Sequence, residues 1–515
     1  MARNIFNSIR LPRVGSNVFD LSHDVKMSFN MGCLVPTCCM DVVPGDKFTL
    51  GVENMLRFAP LISPVMHRVN VTTHYFFVPN RILWPEWPDW ITGESEVTPP
   101  YVEGLDVLNE GTIGDYLGFV QTGDASTRVS AFPLAAYAKI YDEYYRDQNL
   151  VQEKFSELEA GNNADNYEGM LNLEPFKRAW MHDYFTSALP FAQKGDDVLI
   201  PLSLDDTPVE LKAGHTAGMQ TRRADNDVIQ NSTNLGSNAT GIVQDSNSSF
   251  LINIDPNDGL EAKTSETQIN SDINTLRRAF KLQEWLERNA RGGTRYIENI
   301  LAHFGVKSSD ARLQRPEYIG GTKGRMSISE VLSTADTSDN PNGVNVGYMG
   351  GHGISVSGGN TFRYRAEEHG WIIGIINVQP VTAYQQGLHR MFTREDRLDY
   401  FWPSFANIGE QEVFLKELWA EGTAAEAEET FGYVPRYAEY KYMNSRVAGE
   451  MKSSLDFWHL GRKFAAKPLL NSSFVESDPS TRIFAVQSGA HNIYAHIYNN
   501  IRAVRKMPKY GNPSF

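Results

Sequence analysis

Residues 68–78 read Arg-Val-Asn-Val-Thr-Thr-His-Tyr-Phe-Phe-Val and are stopped by Pro79-Asn80. Val69, Val71, Thr73, Tyr75 and Phe77 alternate with Arg68, Asn70, Thr72 and His74. That period of two puts one face of a strand in a core and the other toward polar surroundings. Upstream, Met27, Phe29, Met31, Cys33 and Val35 alternate in the same way before Pro36. Far downstream, Trp371 to Val378 is almost continuously apolar between Gly370 and Pro380, which suits a strand buried on both faces. Ile483 to Val486 and Asn492 to Val504 read as two further strands, the second placing Ile493, Ala495, Ile497 and Ile501 on one side. The best strands lie near residues 27, 70, 371 and 490, so the expected fold is mainly β, with pairings that bridge most of the chain.

Between the strands lie segments of helical period. Leu134 to Ala160 carries Leu134, Tyr137, Ala138, Tyr141, Tyr144 and Tyr145 and ends at Gly161, and Glu174 to Leu189 opens on Pro175. Ile273, Leu276, Phe280, Trp285 and Leu286 precede Gly292-Gly293, while Ile297, Ile300, Leu301 and Phe304 precede Gly305. The acidic run from Glu410 to Glu429 holds seven Glu against Lys416 and reads as a solvated helix face. In the twenty-five residues from Asp225 to Ser249, nineteen are Asp, Asn, Gln, Ser, Thr or Gly and none is basic. Such a stretch builds no core of its own, so residues 205–270 are read as a long, exposed, neutral excursion, part hairpin and part loop. Asp339 to Asn360 is a shorter, Gly-rich loop by the same reading.

Composition bounds the function. The 515 residues are 41% hydrophobic and 21% charged, an ordinary globular balance. The longest apolar stretch, Trp371 to Ile376, is far short of the roughly 20 residues that span a bilayer. The N-terminus spaces its apolar residues with Asn, Ser and Arg instead of the unbroken apolar core of a secretory signal, which points to assembly in a cytoplasm. Cys33, Cys38 and Cys39 are too close together to staple a chain of this length, and buried free thiols are expected. The formal charge of −14 argues against a dedicated nucleic-acid binder, because phosphate neutralisation needs a basic surface. Both ends are nevertheless basic: Arg3, Arg10 and Arg13 at the start, Arg502, Arg505, Lys506 and Lys509 at the finish.

Catalytic signatures are missing. The sequence has no G-x-S-x-G elbow, no G-x-x-x-x-G-K-[ST] phosphate loop, no H-E-x-x-H and no C-x-x-C pair. Gly320-Gly321-Thr322-Lys323-Gly324-Arg325 is basic and Gly-rich but lacks the offset of a phosphate loop, and reads as a solvated turn. Asp255 to Glu266 has Leu260 where a calcium loop needs Gly. No catalytic residue, metal or cofactor is expected. Two aromatic, Pro-anchored segments stand out instead. Trp84, Trp87 and Trp90 recur at three-residue intervals with prolines between them, and Tyr433, Tyr437 and Tyr440 follow Phe431. Both are candidates for subunit contacts, since Trp and Tyr are enriched at interface hot spots, with core lids as the competing reading. A carbohydrate-binding or carbohydrate-active β-sandwich protein would also explain aromatic clefts and is the alternative function.

The sequence resembles the major capsid proteins of the Microviridae, most of all the gokushovirus-like branch. The matching pieces are Met31-Gly-Cys-Leu-Val-Pro36 with Val43-Pro-Gly-Asp46, Tyr75-Phe-Phe-Val-Pro-Asn80, Gly387-Leu-His-Arg-Met391, Trp402-Pro403 and Ile408-Gly-Glu-Gln411. The strongest is FGYVPRYAEYKY from Phe431 to Tyr442, followed by Leu455-Asp-Phe-Trp-His-Leu460 and Arg505-Lys-Met-Pro-Lys-Tyr510. The resemblance implies an eight-stranded antiparallel jelly roll with large helical and loop insertions, one domain over residues 1–515, and a variable surface insertion over 205–270. It also implies assembly with other copies, through pentamers, into a T=1 icosahedral shell around circular single-stranded DNA in a virion. The basic ends, Arg3, Arg10, Arg13, Arg502, Arg505, Lys506 and Lys509, are then the candidates for a DNA-facing surface, and because seven charges per subunit leave most phosphates unmatched, a small, strongly basic packaging protein or polyamines are expected as partners. The polar excursion is then a candidate for contact with a host surface receptor, through Asn231, Thr233, Asn238, Thr240 and Asn247.

Overall fold

In the computed structural model, alternation becomes strands. The structure describes residues 15–196, 198, 273–336, 343, 345–487 and 489–510, with the backbone of short strands between 203 and 270. The strands that build the core are β1 (Asn17–Asp20), β2 (His23–Phe29), β3 (Leu34–Val42), β4 (Lys47–Phe58), β5 (Val69–Pro79), β6 (Glu317–Arg325), β7 (Ser327–Leu332), β8 (Met349–Ser357), β9 (Thr361–Arg365) and β10 (Gly370–Pro380). A small hairpin, β11 (Glu410–Phe414) and β12 (Thr430–Pro435), and the long last strand β13 (Ile493–Arg505) complete the set used below.

Two antiparallel sheets result. One runs β6-β5-β10-β3. In the other, β13 lies between β4 and the N-terminal strands β1 and β2, and β4 pairs on its far side with β8 and β9. The first and last strands are therefore neighbours, as the distribution of strand signals requires. Val69, Val71, Tyr75 and Phe77 from the first sheet share one core with Phe48, Leu50, Val52, Ile493, Ile497 and Ile501 from the second. The arrangement is that of a β-sandwich. Polar pins cross its interior: the Tyr75 hydroxyl donates to Asn499 Oδ1 at 2.5 Å and Asn54 Nδ2 donates to Thr73 Oγ1 at 2.8 Å.

The other face of the four-stranded sheet is also covered. Phe76, Val78, Ile373 and Ile375 pack with Leu134, Tyr137, Ile140 and Tyr141 of helix α1 (Phe132–Tyr144). Ile372 and Ile376 point into the sandwich, so β10 is buried on both sides, as its unbroken apolar run indicates. Helices Ile273–Gly292 and Tyr296–Phe304 also form where the 3.6-residue period places them.

Several local readings are corrected. Pro36 does not end a strand; it sits inside β3, an edge strand, where its missing N–H costs no ladder bond. Helix α1 stops at Tyr144 instead of Ala160 because the Asp142 carboxylate accepts from the backbone N–H groups of Lys154 and Phe155 and draws the chain back. Residues 174–189 form no helix, because their backbone bonds go elsewhere: Leu34 N donates to Phe176 O, Arg178 N to Gly32 O and Trp180 N to Val475 O. Residues 483–486 form no strand, although Phe484 makes a bridge to Leu61. The acidic run is strand β11, two four-residue helices and the approach to β12, not one solvated helix. The Gly-rich segments at 320–325 and 349–357 are strands β6 and β8. A Cβ on Gly320 would lie 2.1 Å from the Phe362 ring, and one on Gly351 would lie 2.2 Å from Ser63 O, so close approach, not flexibility, requires these glycines.

The chain divides into two compact units, residues 1–194 with 287–515, and residues 195–286. Within the second, backbone pairs nest antiparallel: Ser203–Leu204 with Ile269–Asn270, Val209–Leu211 with Leu260–Ala262, Thr221–Arg223 with Ile252–Ile254, and Leu235–Ser237 with Val243–Asp245.

Candidate assembly and genome-facing surfaces

The three tryptophans gather at one spot. Pro88 falls in the first turn of helix Trp87–Thr92, which Gly93 closes at φ +79°, so the prolines permit a short helix here. Ring centroids are 5.4 Å apart for Trp87 and Trp90 and 5.9 Å for Trp84 and Trp90, with Phe132 beside Trp87 at 5.5 Å. Trp84 is buried within the chain, while Trp87 and Trp90 are partly covered. Trp84 therefore acts as a core residue of one subunit.

The tyrosines divide likewise. Tyr437 is buried, sits at φ +61°, and its N–H donates to Gln411 Oε1 at 3.0 Å. Tyr433 is half-buried on β12, and Tyr440 is 50% exposed. Tyr440 belongs to a surface that sequence reading missed. Phe401 packs edge-on against Tyr437 at 5.0 Å and Tyr440 at 6.2 Å, and the Arg394 guanidinium lies over the Tyr440 ring at 4.3 Å. Phe392, Tyr400, Phe401, Trp402 and Ile408 are all exposed, Phe392 to 64%. The segment has no regular period, only three short 3₁₀ turns, which is why no pattern announced it. Its aromatic density and the family-like pieces at Gly387–Met391, Trp402-Pro403 and Ile408–Gln411 were the signals it carried.

This surface is seated on buried charge. Arg390 Nη1 lies 3.4 Å from Glu417 Oε1, and Arg394 Nη2 3.7 Å from Glu439 Oε1. Both carboxylates are almost wholly covered. Burial raises the Glu417 carboxyl above the usual carboxylate range, against the pull of Arg390 and a 2.8 Å bond from the Tyr184 hydroxyl. Glu417 borders a groove of about 560 Å³ lined also by Tyr184, Tyr384, His389 and Phe392. Its oxygens are already taken by Tyr184, Arg390 and the Phe414 N–H, so it is a structural anchor, not a poised acid.

At the C-terminal end, Arg505 is committed to the fold. Its Nε is 2.9 Å from the buried Asp46 carboxylate and its Nη2 donates to Asp41 O at 3.0 Å. Arg502, Lys506 and Lys509 are exposed. Arg3, Arg10 and Arg13 lie outside the described residues, as do Asn231, Thr233, Asn238, Thr240 and Asn247. The cysteines are free thiols; burial pushes Cys33 and Cys39 up to about 12 and Cys38 higher still. Among the described residues no group of His, Cys, Asp and Glu is placed to hold a metal ion, and no helix is long and apolar enough to cross a membrane.

The chain is thus a β-sandwich with buried polar anchors and, among the described residues, a group of exposed aromatic side chains. The family described as capsid protein (F protein) matches residues 7–515. The chain is 34% identical to capsid protein VP1 of Chlamydia phage 1, over 99% of this chain and 97% of that protein. It is 33% identical to capsid protein VP1 of Bdellovibrio phage phiMH2K, over 96% and 95%, and 28% identical to that of Spiroplasma virus 4, over 99% and 96%. The chain belongs to the phage capsid protein F family and is a major capsid protein of the Microviridae type, a structural protein and not an enzyme.

Proposed function

We propose that this chain closes, with further copies of itself, into a T=1 icosahedral shell around a circular single-stranded DNA genome. The observation that carries the self-assembly is the group of exposed aromatic side chains Phe392, Tyr400, Phe401, Trp402 and Tyr440, with Arg394 lying over the Tyr400 and Tyr440 rings and paired with the buried Glu439 carboxylate. Exposed aromatics in a fixed setting mark contact sites, and burying them at a seam removes their apolar area from water at roughly 25 cal/mol per Å². The seven-stranded sheet, in which β13 lies between β4 and the N-terminal strands β1 and β2, and the four-stranded sheet β6-β5-β10-β3 each combine early and late strands, which supports the reading of a jelly roll. Trp87 and Trp90 form a second contact patch. Arg502, Lys506 and Lys509, with the N-terminal arginines, face the genome alongside a basic packaging protein or polyamines, and residues 205–270 form the surface insertion that meets the host receptor.

Electron microscopy of the purified chain tests the reading. Closed particles of one size support it, and nuclease-protected single-stranded DNA inside particles recovered from cells supports the genome assignment. A chain that stays a small soluble species and binds glycans would replace it by the carbohydrate reading.

A further inference from the structure

The outward face of the larger sheet carries a concentration of positive charge that the basic C-terminus only borders. Residues directly opposite each other in an antiparallel pair project to the same face. Lys47 of β4 stands opposite Arg365 of β9, and one row along, Thr49 joins Arg363 on one side to Arg502 on the other. Lys47, Arg363, Arg365 and Arg502 are all exposed, and Lys506 reaches over the Gly45 turn that leads into β4. Among the described residues, the only carboxylate in these two rows is Asp20, opposite Arg502. Acids return two rows further on, where Glu53 and Asp24 flank Tyr498. Among the described residues, Lys47, Arg363 and Arg365 form no ion pair.

Like charges set opposite one another destabilise a sheet. In a chain whose formal charge is −14, acidic partners are plentiful, yet these two rows hold a lone acid. A polyanion lying across the strands would relieve the repulsion. Neighbouring strands are about 4.8 Å apart and alternate residues about 6.6 Å, so the cations form a grid on the scale of successive phosphates of an extended single strand. The cations stand on the open face of a sheet, so recognition rests on backbone charge and not on bases.

We propose that Lys47, Arg363 and Arg365, with Arg502 and Lys506, form a sequence-independent binding site for the phosphate backbone of a single-stranded nucleic acid. The proposal rests on the reading that the shell encloses such a strand, and it moves the binding surface from the chain ends to the face of the sheet.

The test uses the full-length protein and a fluorescent oligothymidylate titrated over a range of salt. Each phosphate neutralised on a single strand adds roughly 0.7 to the slope of log affinity against log salt, so the triple variant K47Q/R363Q/R365Q should lower its magnitude by about 2. The opposite-sheet variant K323Q/R325Q should bind as the wild type does. Single variants R363Q and R365Q, each at an exposed site, should each take about a third of the effect and cover the case in which the triple variant fails to fold. An unchanged slope in folded variants, or an equal loss in K323Q/R325Q, overturns the site. Wild-type particles lacking DNA would sink the enclosing reading itself, whereas DNA-filled wild-type particles with unaltered binding by the variants reject only this site.

Discussion

Single side chains show how the same residue type serves two ends. Trp84 and Tyr437 are buried inside one subunit, so replacing either by Ala should cost about 3 to 5 kcal/mol of folding stability by leaving a cavity. A lowered melting temperature with particles still formed at low temperature is expected; loss of assembly at unchanged melting temperature would return them to the interface. His67 and His74 are also telling. Burial pulls each from the usual 6.5 down to about 4, with the His67 ring 2.6 Å from the Val381 carbonyl and His74 2.8 Å from the Tyr145 hydroxyl. The unfolded chain takes up these protons near pH 6.5 and the folded one only near pH 4, so their contribution is intact above 6.5 and is lost progressively as pH falls to about 4. Melting temperature should decline across that window, and less steeply in H67Q/H74Q. An identical profile in that variant would show that carboxylates alone govern acid sensitivity.

At the scale of elements, strands with long-range partners were legible and irregular segments were not. The alternation at 69–77 and the double-sided apolar run at 371–378 each report a local environment, so β5 and β10 could be read directly. The glycine segments misled because a glycine excluded by a neighbouring ring looks, in sequence, like one chosen for freedom. Gly320 is read correctly only once Phe362 is seen 2.1 Å from where its Cβ would stand. G320A should therefore destabilise the fold by about 1 to 3 kcal/mol through overpacking, and the double variant G320A/F362A should lose less than the sum of the two single changes. Strict additivity in chemical denaturation would contradict that packing. The acidic run failed for a related reason. Glu417 is spent on Arg390 and Tyr184 inside the structure, and only tertiary context distinguishes it from its solvated neighbours. Of the exposed aromatic residues, aromatic density flagged Tyr440, while the belt at 392–408 has no period to read. The polar excursion gives an element-scale expectation of its own. Deleting residues 225–249 should leave particles intact and reduce adsorption to the host, and failure to form particles would place those residues in assembly instead.

For the whole molecule, the proposed function assigns stability to the two-sheet core and association to the aromatic belt, so the two should separate experimentally. The most direct measurement is sedimentation velocity of the purified full-length chain beside the double variant W402A/Y440A, with melting curves on both. Both side chains are about half exposed, so folding should be nearly unaffected, while loss of two hot spots of about 2 kcal/mol or more each should empty the large-particle boundary in favour of small species. Wild-type protein that never forms large particles, or a variant that assembles as well as the wild type does, would contradict the claim that this belt joins the subunits of the shell.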